Sequence, residues 1–521
     1  MSMNEHFAVG AKAVLPLSKK SIAIGAAWIG VSRLVVASLG FLNTVILARM
    51  LTPEDFGLVA VATAVIAILT SMTELSLTSA LIHHKDPTED QFHAAWTLSL
   101  ARACLLALLL SLLAYPVSRS YGDSRLIPIL LVLSCSIVIT GLRNPMLAMM
   151  QRQLVFWQEF VTSSSRALAT ILVSSGIAIC FRSYWALIAG AVVANLVDVV
   201  ASYLIQPFRP KFRIKGSRSL WSFSLWLSLG QAVSTLNWRF DQIIIGYFLG
   251  KSTLGGYVLG SDLAATPTRE ATNPLAGTLF PAFVRLRDDK AALQRAYLSA
   301  QSMLCGIAFP AGFGFALIAD QFVPLVLGDA WAGATIVIQL LGGAIALHTL
   351  SATVQPLGLA LGQTRRLFHR DVAVLIVRLP VIVAGLWVGG LLGLLVARVA
   401  VTLGGVVYNM VLVRELIGTS VSRQFLVNLR TALSTCMIII VGLLTNWAFI
   451  TLFGHESHVY ARLTAVVLVS ALAYVGAAFG FWRVAGSPAG PEREILRILG
   501  VIANRFGKLG RSSMITAQSG E

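Results

Sequence analysis

Apolar runs of roughly 20 residues, the length that crosses a bilayer as an α-helix, recur along almost the whole chain. Short joints rich in Pro, Gly and charge separate them. About fourteen such runs can be marked, at residues 22–48, 56–82, 92–115, 125–148, 154–180, 184–206, 220–248, 254–280, 295–319, 334–361, 370–390, 391–413, 430–453 and 460–482. The pattern predicts an all-α integral membrane protein with no room for a separate soluble domain.

Lys and Arg are retained on the cytoplasmic side during insertion, so alternate joints give the orientation. One set carries Arg143 and Arg152, then Arg209, Lys211, Arg213, Lys215 and Arg218, then Arg285, Arg287 and Lys290, then Arg365 and Arg366, then Arg414 and Arg423. The other holds little beyond Arg49, Arg119, Arg125, Arg182, Lys251 and Arg462. Both termini are therefore expected in the cytoplasm. The chain also repeats itself. Leu51-Thr52-Pro53-Glu54-Asp55-Phe56-Gly57-Leu58 aligns with Leu249-Gly250-Lys251-Ser252-Thr253-Leu254-Gly255-Gly256, and at the same offset Asn43 falls on Asp241 and Leu81 on Leu279. Both copies sit in a helix, outer turn, helix unit of one orientation, so a parallel repeat is predicted.

Composition agrees: 56% of the 521 residues are hydrophobic and 12% charged. The net charge of +17 sits at helix ends and not on one face with interleaved aromatics, which argues against nucleic acid. Cys104, Cys135, Cys180, Cys305 and Cys436 stand singly in apolar runs, without the spacing of a metal site or CxxC motif. Lys12, Lys19 and Lys20 precede an apolar run too long for a signal peptide and without an A-x-A site, so an uncleaved first span is expected. Residues 491–508 place Ile495, Leu499, Ile502 and Phe506 at helical spacing among Arg493, Arg497, Arg505 and Lys508; a basic amphipathic helix on the anionic inner surface and a disordered tail are both open. Gly250-Lys251-Ser252 ends like a phosphate-binding loop, but Ile245 stands where the first Gly is needed. A structural turn is expected, and no ATP. His83 and His84 lack partners at ligand spacing. With no nucleophile beside a base, the chain is expected to be no enzyme and to need no cofactor.

Ionisable groups near the bilayer centre are costly and usually face a cavity or a partner. Arg33, Glu74, Arg102, Glu159, Arg166 and Asp198 stand in the first six spans, and Arg239, Asp241, Asp262, Arg269, Glu270, His348, Arg378 and Arg398 in the later ones. Three polar rows follow helical spacing: Glu159, Ser163, Arg166 and Thr170; Gln231, Ser234, Asn237 (or Trp238) and Asp241; and Asp262, Thr266, Arg269 and Asn273 beside Pro267 and Pro274. An Arg-rich polar cavity between helices suits an anionic group such as a diphosphate or acidic sugar. A structural ion pair is the competing reading for Glu159 and Arg166.

Five segments then bear a resemblance: Asn237-Trp238-Arg239-Phe240-Asp241-Gln242 through Gly250, Leu254-Gly255-Gly256-Tyr257, Leu279-Phe280-Pro281-Ala282-Phe283, Arg287-Asp288-Asp289 and Leu327-Gly328-Asp329-Ala330-Trp331. With Ala48-Arg49-Met50-Leu51-Thr52-Pro53-Glu54-Asp55-Phe56-Gly57, and over roughly residues 20–430, the chain resembles the polysaccharide-unit (Wzx-type) flippases of the MOP superfamily, in their lipopolysaccharide/exopolysaccharide exporter branch. The resemblance implies two pseudo-symmetric six-helix lobes of MATE/MOP type, plus two C-terminal helices. Its division of this chain is a cytoplasmic segment 1–20, an N-lobe 21–206, a basic linker 207–219, a C-lobe 220–415, two helices in 428–483 and a cytoplasmic tail 484–521. It implies a bacterial inner-membrane protein working by alternating access, with a lipid-linked oligosaccharide as cargo. Membrane lipids, a polysaccharide polymerase and a co-polymerase are its implied partners. Arg33, Glu74, Arg166, Arg239, Arg269, Arg378 and Arg398 are the cavity candidates, and Asn43, Asp241, Asp262 and Glu270 the candidates for a coupling Na⁺ or H⁺. A drug/cation antiporter and a peptidoglycan lipid-precursor flippase are the alternatives. A polysaccharide polymerase would need a large outer loop, which this chain lacks.

Overall fold

The computed structural model describes residues 19–73, 88–147, 157–213, 217–454, 459–486 and 492. Glu74, the His83-His84 pair, the first eighteen residues and the basic tail beyond 492 lie outside the described residues. All long elements are helices: α1 (Lys19–Met50), α2 (Pro53–Met72), α3 (Glu89–Tyr121), α4 (Leu126–Gly141), α5 (Trp157–Phe181), α6 (Trp185–Ile205), α7 (Ser217–Phe248), α8 (Lys251–Leu286), α9 (Lys290–Leu317), α10 (Ala332–His348), α11 (Thr364–Ile417), α12 (Val421–Phe453) and α13 (Val459–Val484). Ten helical stretches among the described residues are long and apolar enough to cross a membrane; the polar-rich α7 and α8 are not among them. The protein is a multi-pass membrane protein.

The sequence explains where these helices start. Thr52 caps α2: its hydroxyl accepts the Asp55 N–H while the Asp55 carboxylate accepts the Thr52 N–H, with Pro53 in the first turn. That is a capping box, reinforced by Glu54 and Asp55 at the positive end of the helix dipole. Thr88 and Gln91 open α3 in the same way. Asp289 caps α9 by accepting the Ala292 N–H at 2.9 Å. Helix α11 is 54 residues long, which as a straight rod would reach about 80 Å, far beyond a bilayer of roughly 30 Å. It folds back at Gly389 and Gly390, whose backbone is non-helical. A methyl group on Gly385 would lie 2.5 Å from the Gly393 carbonyl and 2.6 Å from Ala397, positions that a straight helix holds a turn or more apart. Two closely packed arms result, divided where the expected eleventh and twelfth runs meet.

The chain forms two compact units, Met1–Gly255 and Gly256–Glu521. In the first, α1 packs on α5, α5 on α6, α3 on α4, and α7 along α2. The seventh span, expected to open the second lobe, thus lies in the first unit. Tyr121 at the end of α3 donates to the Ile243 carbonyl at 3.1 Å, and its ring and Val61 of α2 close over Gly246. In the second unit α9 packs on α10 and α12, and α12 on α13. Its core gathers Leu279, Phe283, Tyr297, Leu304, Val354 and Leu357. Gly312 brings α9 to 2.7 Å of the Gly342 carbonyl by the same measure, the small-residue packing of membrane helices. Along α8, Pro267, Pro274 and Pro281 recur every seven residues and so share one face.

A close backbone approach in the first unit joins the repeated turns. A methyl group on Gly57 would sit 1.8 Å from the Lys251 carbonyl oxygen, and one on Gly255 would sit 1.8 Å from the Pro53 carbonyl oxygen. Pro53 and Lys251 are repeat equivalents, as are Gly57 and Gly255, so the contact is reciprocal. G57A and G255A should each destabilise the protein by about 1–3 kcal/mol, the cost of overpacking. G176A, where nothing lies within 4 Å, should be neutral or slightly stabilising. Thermal unfolding of the three variants in detergent checks the ranking.

Candidate functional site

One cavity of about 400 Å³ opens between α1 and α5, lined by Val36, Leu39, Gly40 and Asn43 on one side and Ser163, Arg166, Ala167 and Thr170 on the other. Each set follows the spacing i, i+3, i+4, i+7, so two facing helical stripes make the walls. Gly40, with nothing within 4 Å of where its Cβ would be, leaves the space open. Three members of the first predicted polar row therefore line one wall, and Asn43 stands opposite. Ser174 donates to Asn43 Oδ1 at 2.6 Å, which leaves the amide NH₂ as the hydrogen-bonding end not taken up there. The Thr170 hydroxyl donates to the Arg166 carbonyl at 2.8 Å. Arg166 is exposed and supplies the only charge among the cavity's lining residues. A guanidinium, an amide and hydroxyls on an otherwise apolar wall suit an oxyanion or a sugar hydroxyl.

The other candidates are not among the residues lining this cavity. Arg33 is exposed on α1. On α7 the second polar row runs from exposed Gln231 to buried Asn237 and Asp241, the last with no exposed surface. Arg239 donates to Gln242 at 3.1 Å. On α8 Asp262 is exposed, its carbonyl accepting the Thr266 hydroxyl at 2.7 Å, and Arg269 contacts Glu270 at 3.3 Å. In the second unit Arg378 is buried on the first arm of α11, within electrostatic reach of His348. Arg398 is buried on the second arm, hydrogen-bonded to the Tyr257 hydroxyl, with its guanidinium carbon 5.5 Å from the centre of that ring. Arg398 is thus spent on holding α8 to α11. Arg102 is likewise structural, donating to the Thr70 carbonyl at 2.7 Å and Thr73 at 3.2 Å. Asp198 pairs with Arg143 at 3.1 Å.

Sequence reasoning missed an ion cluster at the repeated turns. Buried Asp123, between α3 and α4, takes Arg125 at 2.8 Å and the Lys251 ammonium, and Arg125 also donates to Glu54 at 2.5 Å. Both repeated turns thus contribute a charge to one network, and Lys251 acts in a structural turn. Burial pushes the Asp123 carboxyl up, but hydrogen bonds from Arg125 and Lys251 outweigh this and hold it well below the usual carboxylate range. The signal was present in the sequence as Gly122-Asp123-Ser124-Arg125, yet its partners lie 71 and 128 residues away.

These helices make up a fold seen in solved membrane transporters. The structure matches the lipid II flippase MurJ in an inward closed conformation with a TM-score of 0.71 at 15% identity, covering 89% of this chain and 99% of that one. An inward-facing multidrug resistance MATE transporter of the MOP superfamily follows at 0.53 and 14% identity, over 75% of this chain and 99% of that one. The chain belongs to the family described as polysaccharide biosynthesis protein, whose profile matches residues 46–336. Among its relatives, the lipopolysaccharide biosynthesis protein WzxC of Escherichia coli (strain K12) is 24% identical over 80% of this chain and 85% of its own length. The succinoglycan biosynthesis transport protein ExoT of Rhizobium meliloti (strain 1021) is 26% identical over 68% and 72%.

The Asp123 cluster makes a signed pH prediction. A carboxyl whose folded pKa is depressed contributes stability above its ordinary value, 3.8, and loses it only as pH falls through the lower folded value. D123N should therefore cost about 1.5–3 kcal/mol, the range for hydrogen bonds to charged groups, and the deficit should stay constant from neutral pH down to about the ordinary carboxylate range. Thermal unfolding of both proteins across that range checks it; a deficit already shrinking near pH 6 would contradict the assignment.

Proposed function

We propose that the chain carries undecaprenyl-diphosphate-linked oligosaccharide repeat units from the cytoplasmic to the periplasmic leaflet, for exopolysaccharide or lipopolysaccharide synthesis. The single observation that carries this is membership of the polysaccharide biosynthesis family across 46–336, with relatives named for lipopolysaccharide synthesis and succinoglycan transport. The fold shared with a lipid II flippase is consistent with a lipid-linked cargo. In this reading the chain crosses the bacterial inner membrane fourteen times, both arms of α11 included, with its termini in the cytoplasm. Twelve of these helices form two six-helix lobes that alternate access, and the last two are additions. A polymerase and co-polymerase act on the product.

Flipping needs a polar route for sugar and diphosphate while the polyprenyl tail stays in lipid. Arg166, with the Asn43 amide and Ser163 across the α1/α5 cavity, supplies countercharge and donors on that route. Arg33, Arg239, Arg269 and Arg378, with Glu74, extend it, whereas Arg398 acts through Tyr257 to fix helix position. Asp241, Asp262 and Glu270 remain the carboxylates for a driving Na⁺ or H⁺. Asn43 remains a cation candidate as well as a cavity residue, since its carbonyl oxygen, 2.6 Å from the Ser174 hydroxyl, keeps a second lone pair.

In a strain deleted for the chain, complete repeat units should accumulate on the cytoplasmic leaflet and surface polymer should disappear. R166Q should restore export only weakly, lowering its rate by about tenfold or more, the worth of a charged hydrogen bond. Units stranded on the periplasmic leaflet would point to a polymerase. Unchanged polymer with altered drug tolerance would point to an antiporter.

A further inference from the structure

Residues 206–213, between α6 and α7, carry a surface with no part in the cargo route. Pro207 and Pro210 prevent this segment from continuing α6, and it runs as a non-helical strap along the first turns of α3. It is fastened at every step. Asn144 donates to the Gln206 carbonyl at 2.7 Å. Phe208 is buried and stacks on His93 at 5.1 Å. The Lys211 N–H donates to His93 Nδ1 at 3.2 Å, and the Arg213 N–H to the Thr97 hydroxyl at 3.2 Å. The Arg213 guanidinium pairs with Asp90.

Those anchors decide what the strap shows outward. Arg213 is neutralised by Asp90, Arg143 nearby is paired with Asp198, and Glu89 faces His93. What remains presented is Arg209, Lys211 and Phe212, the last 76% exposed with its ring edge on Trp96 at 5.4 Å. From His93 to Thr97 the strap climbs about 6 Å along α3, close to the thickness of one headgroup layer. It thereby holds two cations and an unburied aromatic ring beside the first turns of α3, a helix long and apolar enough to cross a membrane. Basic side chains there attract anionic headgroups, and aromatic rings settle at the boundary with the acyl chains.

We propose that residues 206–213 form a docking surface for anionic phospholipid headgroups of the cytoplasmic leaflet. Arg209 and Lys211 take the phosphates, and Phe212 enters the acyl boundary beside Trp96. Because the strap is pinned to α3 through buried Phe208 and His93, lipid binding stabilises the packing of α3, α4 and α6 around it. The reading is independent of the cargo.

The test is thermal unfolding of the full chain in nanodiscs of POPC alone and of POPC with added POPG. The wild type should unfold at a higher temperature with POPG, and high salt should weaken that gain. R209Q/K211Q, both exposed positions, should match the wild type in POPC and lose more than half of the gain. R209E/K211E should lose all of it. A gain retained in full by both double variants would overturn the proposal, as would the absence of any POPG effect on the wild type; the latter would leave a protein partner as the occupant of this surface. F212S should reduce the gain without removing its salt dependence, and an F212S protein indistinguishable from wild type in both membranes would refute the aromatic part.

Discussion

Direct contact of backbone with backbone at Gly57 and Gly255 is the constraint on which the first unit depends. No side chain fits there, because each glycine faces the carbonyl of the residue equivalent to the one that faces its counterpart. A contact of i with j repeated as j with i is the hallmark of an isologous interface, here written twice within one chain. The capping box at Thr52 sets where α2 begins, and Gly250, at φ +85°, sets where α8 begins. The Asp123 cluster then ties both starts to the turn between α3 and α4. Helix position at this end is thus fixed by two glycines and four charges beside an apolar cluster around Leu47 and Leu51.

The intramembrane charges sort by what touches them. Arg102 and Arg398 are held by neighbouring helices, and Arg143 neutralises Asp198. Arg166 opens onto a cavity whose opposite wall offers an amide. An intramembrane arginine is therefore not by itself a cargo contact. The difference is whether a hydroxyl or carbonyl from the next helix already receives its guanidinium.

Much of this was legible in the sequence. Helix type, the break at Gly389-Gly390 and the α5 polar row follow from local spacing among residues within a few turns of one another, and the repeat from matching two segments of like pattern. The motifs that carry the family resemblance explain the fold more than the site: Asp289 is a cap, Phe283 and Trp331 are fully buried, and Gly328 adopts φ +102°. What sequence could not show was pairing across distance. Tyr257 meets Arg398 from 141 residues away, and Lys251 meets Asp123 from 128. Nor does spacing alone tell which amide end of Asn43 a serine would occupy.

The prolines of α8 have a mechanical consequence. Each lacks the N–H that the carbonyl four residues earlier would receive, so Leu263, Glu270 and Gly277 lose that partner. Two turns separate successive prolines, with only about 20° of rotation between them. Their bends therefore add in nearly one plane, as the joints of a finger do, whereas prolines scattered around the helix would cancel one another. Flexure is shared among three soft points with intact turns between, so a large change in the direction of α8 requires only a small change at each.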